Sequence, residues 1–208
     1  MLSITDLLFF AAAAFGLVIS PGPNMIYLIS RSITQGKRAG LISLAGVICG
    51  FLFHILLVSF GLTTLLFAVP FAYTALQTVG VVYLLYLAWQ ALYSTTPFET
   101  KNLPQDNAAK LFRMGFFTNV LNPKVAVFYV SFFPQFVKPE LGNVLSQNLL
   151  LGLVQVSVSF SVNFIIVLSA QRMAFFFGQH PRWIRLQKWF MASILTSLAA
   201  KLAFDKVK

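Results

Sequence analysis

Apolar residues run along this chain in long blocks, not in the one-sided stripe of a surface helix or the alternation of a half-buried strand. A helix needs about 20 mostly apolar residues to cross the hydrocarbon core of a bilayer. Six blocks reach or approach that length: residues 4–29, 41–69, 71–92, 114–137, 145–170 and 189–204. Only a tight turn at Pro70 divides the second from the third. The sixth is short and carries Lys201, which can snorkel to the interface. The pattern predicts an all-α integral membrane protein of about six transmembrane helices, one domain over residues 1–208.

The longest polar connection, about 94–113, holds Pro97, Asn102, Pro104 and Asp106 and reads as a mobile loop. It separates halves of about 1–93 and 114–208, each with three spans. Three is odd, so the second half enters the membrane the other way round. Two inverted three-helix halves are the arrangement of an inverted-repeat transporter.

Each half breaks its first helix. In span one the break is Ser20-Pro21-Gly22-Pro23-Asn24. Pro21 and Pro23 have no N–H, so the carbonyls of Leu17 and Ile19 lose their helical partners. Gly22 lets the backbone turn, and Asn24 can cap the helix that resumes. In span four the break is Asn119-Val120-Leu121-Asn122-Pro123-Lys124, where Pro123 frees the carbonyl of Asn119. Such backbone is tolerable in lipid only against protein or a water-filled cavity. Broken helices in corresponding positions point to a transporter's binding site, and the resuming half-helices would turn N–H groups and a positive dipole end towards it. A pair of packing kinks is the plainer alternative.

Composition narrows the function classes. Hydrophobic residues make up 58% and charged residues 10%, too little charge for a soluble domain of this size. The net charge of +10 is spread between apolar blocks with no interleaved stacking aromatics, so nucleic acid is not the expected partner. Arg31, Lys37 and Arg38 lie between spans one and two, and Lys101, Lys110 and Arg113 between three and four. Arg172, Arg182, Arg185 and Lys188 lie between five and six. Ten of the fifteen cations thus share one side, against Lys138, Lys201, Lys206 and Lys208 on the other, which places those three connections in the cytoplasm and both termini outside. The N-terminus has Asp6 where a signal peptide has basic residues, and its apolar run ends in Pro-Gly-Pro; it reads as a retained helix. Cys49 is the only cysteine, so no intramolecular disulfide, cysteine metal cluster or redox pair can form. No cofactor or metal is expected.

Lys124 is the sharpest candidate. No Asp or Glu lies within spans two to six, and a charged lysine at mid-membrane costs roughly 2.5–3.5 kcal/mol. It pairs with a substrate carboxylate, exchanges a proton, or snorkels from a shallow depth. The substrate-binding or gating set is Pro21, Gly22, Pro23, Asn24, Asn119, Asn122, Pro123 and Lys124. His54, Gln135 and Asn163 are candidates for a proton or polar pathway, although a lone histidine on an apolar helix more often bonds to a neighbour. Ser157, Ser159 and Ser161 make span five polar as well, either along a path or as links between helices. Gly46 and Gly50 form a GxxxG that permits close helix contact, and a homo-oligomer stays open.

These motifs resemble the lysine exporter and homoserine/threonine exporter family (LysE/RhtB type). The resemblance rests on Ser20-Pro21-Gly22-Pro23-Asn24-Met25, Gly36-Lys37-Arg38-Ala39-Gly40, and the Gly46, Gly50, His54 pattern with Gly61-Leu62. It resumes with Phe117 to Lys124, Phe133-Pro134-Gln135-Phe136 and Gln171-Arg172, and so covers nearly the whole chain. It implies a multi-pass secondary transporter of the bacterial cytoplasmic (inner) membrane, embedded in lipid, that exports amino acids or their derivatives, coupled to the proton gradient, and is not an enzyme. Two departures stand out. Relatives often carry an acid where this chain has Phe51, which puts a carboxylate proton relay in doubt, and glycines in the last helix where it has Ala192, Ser193 and Ala199. The alternatives are export of another metabolite or an ion, or membrane electron transfer, which would need a second cysteine.

Overall fold

The structure, a computed structural model, describes residues 2–19, 22–62, 105–179 and 181–204, with scattered positions between 78 and 93. Among these every element is helical. Nearly all of the predicted third span, Ser20, Pro21, Pro70, the 94–104 stretch with Lys101, the tail lysines Lys206 and Lys208, and the side chains of Pro123 and Lys201 lie outside the described residues.

The predicted first span is two helices. α1 (Ile4–Ile19) begins where Ser3 Oγ and Asp6 bond reciprocally, with Ser3 Oγ donating to the carboxylate at 2.7 Å and accepting the Asp6 N–H at 3.1 Å. α2 (Pro23–Thr34) resumes with proline in its first turn, where no N–H is needed. The two axes differ by 55°. α3 (Gly36–Leu57) follows after one residue and ends in a π-helical turn, Val58–Leu62.

The fourth predicted span is also in pieces. α4 (Ala108–Val120) is capped by Asn107, whose side chain accepts the Lys110 N–H at 2.8 Å. α5 (Pro123–Val127) restarts after Leu121-Asn122 and passes into a π-helical turn, Phe128–Phe132, and a 3-10 turn, Phe133–Phe136. A second 3-10 turn, Pro139–Leu141, leads to α6 (Val144–Gln179), and α7 (Pro181–Phe204) closes the described chain.

Several predicted boundaries move. The 94–113 connection ends at Asn107, since α4 already runs from Ala108. Arg172 belongs to α6, and Arg182, Arg185 and Lys188 to α7, so the connection between spans five and six shrinks to a break near residue 180. Apolar length marks where a helix meets the membrane edge, and helices extend past that edge until a breaker such as Pro181 stops them. By length and apolarity, Gly36–Phe60 and Val144–Arg172 can each cross a membrane, and α1 with α2, bent at the break, has the length and apolarity for either a broken span or a re-entrant loop.

The bundle is tightest where α3 crosses α4. A Cβ on Gly46 would stand 2.1 Å from the Phe112 carbonyl oxygen, and one on Gly115 would stand 2.2 Å from that of Ser43. The GxxxG of α3 is therefore used inside the chain: Gly46 admits the α4 backbone and Gly50 admits Asn119. At the other end of the bundle, Phe10 of α1 is fully buried and packs edge-on against Phe133 and Phe136. Lys138 pairs with Asp6 at 2.7 Å beside that contact, so the start of α1 is pinned to the segment that follows the 3-10 turn Phe133–Phe136.

Candidate functional site at two helix breaks

The two breaks meet. Lys124, in the first turn of α5, is buried, and its Nζ donates to the carbonyl of Leu17 at 2.9 Å. That carbonyl is the one left over because Pro21 has no N–H to offer it. Gly22 makes room for the ammonium, since a Cβ there would lie 3.0 Å from Nζ. Its own backbone is extended, at φ −173° and ψ 179°, so closeness and not conformation calls for glycine.

Asn122 caps α5, its Oδ1 accepting the Lys124 N–H at 3.0 Å, while its Nδ2 is buried with no protein partner. The carbonyl of Asn119, freed by Pro123, accepts the Asn122 N–H at 3.0 Å. Asn119 itself is fully buried against Gly50, and neither end of its amide is bonded. Asn24 does not cap α2: that position is Gly22, and Asn24 lies within the first turn with its Oδ1 buried and unpaired. An unbonded buried polar group costs about 1–3 kcal/mol. Asn24 and Asn122 lie beside the lysine and Asn119 lies against Gly50, and water or a polar ligand is what would satisfy their unbonded groups.

Leu17, Asn24, Phe51, Lys124 and Asn163 line a closed space of about 10 Å³. That is roughly one water and far less than an amino acid. Beside it an open cavity of about 630 Å³ runs along one face of α4, from Lys110 and Arg113 at one end to Leu121 and Asn122 at the other. Among the described residues the space at Lys124 is narrow, and the wider cavity lies along α4 beside Lys110 and Arg113.

Of the pathway candidates, Asn163 faces this closed space and donates to the Ser159 carbonyl at 2.8 Å. His54 stacks on Tyr129, ring centroids 5.2 Å apart, against the backbone of Asn119 and Val120, and its Nε2 is buried and unbonded. Gln135 lies eleven residues beyond Lys124 and bonds back to the Ser131 carbonyl at 2.7 Å.

The chain matches the LysE type translocator model over residues 7–206. It belongs to the LysE family. This is a family of membrane translocators, and the apolar helices fit that setting. The homoserine/homoserine lactone efflux protein of Salmonella typhimurium is 33% identical over 188 residues, 90% of each chain. The leucine efflux protein of Salmonella choleraesuis is 25% identical over 196 residues, 93% of this chain and 92% of that one. No solved structure matches.

Two sets of residues in this LysE-family chain escaped sequence reasoning. Tyr129 is fully buried and donates to Gln155 Oε1 at 2.7 Å, and Gln155 Nε2 donates to Ser159 at 2.8 Å. Gln155 joins Ser159 and Asn163, both already singled out, in an inward stripe on α6 at a spacing of four, a signal available in the sequence, and Tyr129 meets it from the turn after α5. Ser157 and Ser161 face outward and bond back to the carbonyls of Leu153 and Ser157. The second set is Arg31, Gln35, Asp106 and Lys110. Asp106 takes Arg31 at 2.6 Å and Lys110 at 2.6 Å, and exchanges two hydrogen bonds with Gln35. Tyr27, below Arg31, donates to the Leu111 carbonyl at 2.8 Å. A spacing of four links Asp106 to Lys110 and Arg31 to Gln35, but nothing along the chain links one pair to the other, and only the fold brings the two pairs together.

Proposed function

We propose that this protein is a secondary transporter that exports amino acids or amino-acid derivatives from the bacterial cytoplasm across the inner membrane. Six spans in two inverted halves, of about 1–93 and 114–208, carry the transport. The substrate carboxylate takes Lys124 Nζ in place of the Leu17 carbonyl, and Asn24, Asn119 and Asn122 offer their unbonded groups to its remaining polar atoms. The single observation that supports this most is the buried ammonium of one half seated in the helix break of the other.

The closed space at Lys124 is too small for cargo, so transport by this reading needs the halves to part. The 630 Å³ cavity with Lys110 and Arg113 at its mouth is the cytoplasmic approach, where two cations attract a carboxylate. Export runs against the substrate gradient on the proton gradient, with Lys124 and His54 the titratable groups along the path. The names of the relatives point to homoserine, its lactone and leucine as the first cargo to try.

The test is export from cells that overproduce the protein and are loaded with dipeptides to raise internal amino acids. Faster efflux of particular amino acids is expected, collapsed by an uncoupler and abolished by Lys124→Ala in a correctly inserted protein. Wild-type export by that variant would remove Lys124 from the mechanism, and no efflux across the panel would overturn amino-acid cargo.

A further inference from the structure

A second polar pocket lies apart from both breaks. Lys37 stands in the first turn of α3 and Arg172 in α6, both exposed, and with Ile165, Leu168, Ser169 and Gln171 they line a cavity of about 320 Å³. The two long apolar stretches begin at Gly36 and end at Arg172, so these cations share one edge of the membrane. Leu168 and Ile165 lie four and seven residues deeper, about 6 and 10 Å at roughly 1.5 Å per residue. They are 41% and 64% exposed, an apolar wall directly beneath the charged end.

Among the described residues no carboxylate lines the cavity, and Asp106, which meets Gln35 at this end, is itself paired with Arg31 and Lys110. The first turn of α3 holds Lys37 and Arg38 and no acid, and its N-cap residue Gln35 makes no capping bond because its side chain is turned to Asp106. The N–H groups of that turn therefore add to the two cations.

We propose that this pocket binds an anionic phospholipid, with the phosphate between Lys37 and Arg172 and an acyl chain along Leu168 and Ile165. A zwitterionic lipid brings its own cation against the two already there, which disfavours it. Inorganic phosphate shares the head chemistry but gains nothing from the apolar wall. The site is independent of the cargo and of the breaks at Lys124.

The test uses the full chain, purified in detergent and equilibrated with equal phosphatidylglycerol and phosphatidylcholine of the same acyl length, with retained lipid counted by native mass spectrometry. Several-fold preference for phosphatidylglycerol is expected. It falls to parity in Lys37→Gln/Arg172→Gln and in Leu168→Trp, which fills the groove, and persists in Arg113→Gln/Arg185→Gln, which removes the same charge elsewhere. All the altered side chains except Arg185 line cavities and none is in the packed core, and gel filtration checks the fold of each variant. An unchanged preference in Lys37→Gln/Arg172→Gln, or equal loss in both double variants, overturns the site. Displacement of the lipid by millimolar inorganic phosphate would make it a free-anion site and overturn the lipid assignment.

Discussion

Lys124 Nζ donates to the Leu17 carbonyl at 2.9 Å, joining residues 107 positions apart. A lysine ammonium here does what a backbone N–H does in an unbroken helix, but it belongs to the other half of the chain. A buried charge is tolerable when it is bonded, and a carbonyl dipole supplies part of what water would. The bond is also exchangeable, because a carboxylate is a stronger acceptor for an ammonium than a neutral carbonyl. Under the proposed function, this contact would hold the two breaks together in the empty protein and give way to substrate.

Gly22→Ala tests this contact without touching its partners. The added methyl would lie 3.0 Å from Nζ and 3.3 Å from Cε, the far end of a flexible chain that can shift. Alanine suits the extended backbone at this position, so the unfolding midpoint in detergent should stay at the wild-type value. Export should fall several-fold in the correctly inserted variant. Wild-type export by Gly22→Ala would show that the close approach of Nζ to Gly22 plays no part in transport.

The breaks were legible in the sequence because proline and asparagine carry their effect locally: a missing N–H identifies which carbonyl is stranded, as at Leu17. What filled the vacancy was not legible, since nothing along the chain ties residue 17 to residue 124. The same limit hid the Arg31–Asp106 pair and the Tyr129–Gln155 bond. The π-helical turns at Val58–Leu62 and Phe128–Phe132 were hidden for another reason: both lie in largely apolar stretches, where Ser59, Tyr129 and Ser131 are too few to reveal a shift of register. Asn24 was misjudged because Pro23 takes the first helical position and moves the cap back to Gly22.

Gly46→Ala and Gly115→Ala should each destabilise the α3–α4 crossing. The atoms met at 2.1 and 2.2 Å are backbone oxygens of helices that cannot swing aside, so the axes must separate. Overpacking commonly costs about 1–3 kcal/mol, and the rigid backbone puts these near the upper end. Thermal unfolding in detergent reads this directly. Gly142→Ala, whose added methyl would meet nothing within 4 Å but whose φ of 96° disfavours alanine, should cost less because it sits in an exposed turn.

Tyr129→Phe removes a hydroxyl and leaves Gln155 Oε1 without its donor in the buried stripe. Interhelical hydrogen bonds within membranes are worth about 0.6–1.7 kcal/mol. The expected loss in unfolding free energy is of that order, and Gln155→Leu in the same background should restore part of it by removing the stranded oxygen. A double-mutant cycle with no coupling between the two positions would show that the bond does not form in the folded protein.

The docking of Asp106 should depend on pH in a direction its partners dictate. The hydrogen bond from Lys110, then that from Gln35, and the charge of Arg31 hold its carboxyl below the ordinary carboxylate value, against the opposing effect of burial. A lowered value means that the ionised form stabilises the docked connection. That contribution is complete above the ordinary carboxylate range and is lost as pH falls through the lowered value. Hydrogen exchange over residues 108–114 should accordingly show level protection from neutral pH down to the ordinary carboxylate range and loss of protection below it. Asp106→Asn should be poorly protected at every pH, and Lys110→Gln should move the acid loss to higher pH because it removes the largest cause. Protection in Asp106→Asn equal to wild type at neutral pH would mean that the ion pair with Arg31 does not hold the start of α4 to the end of α2.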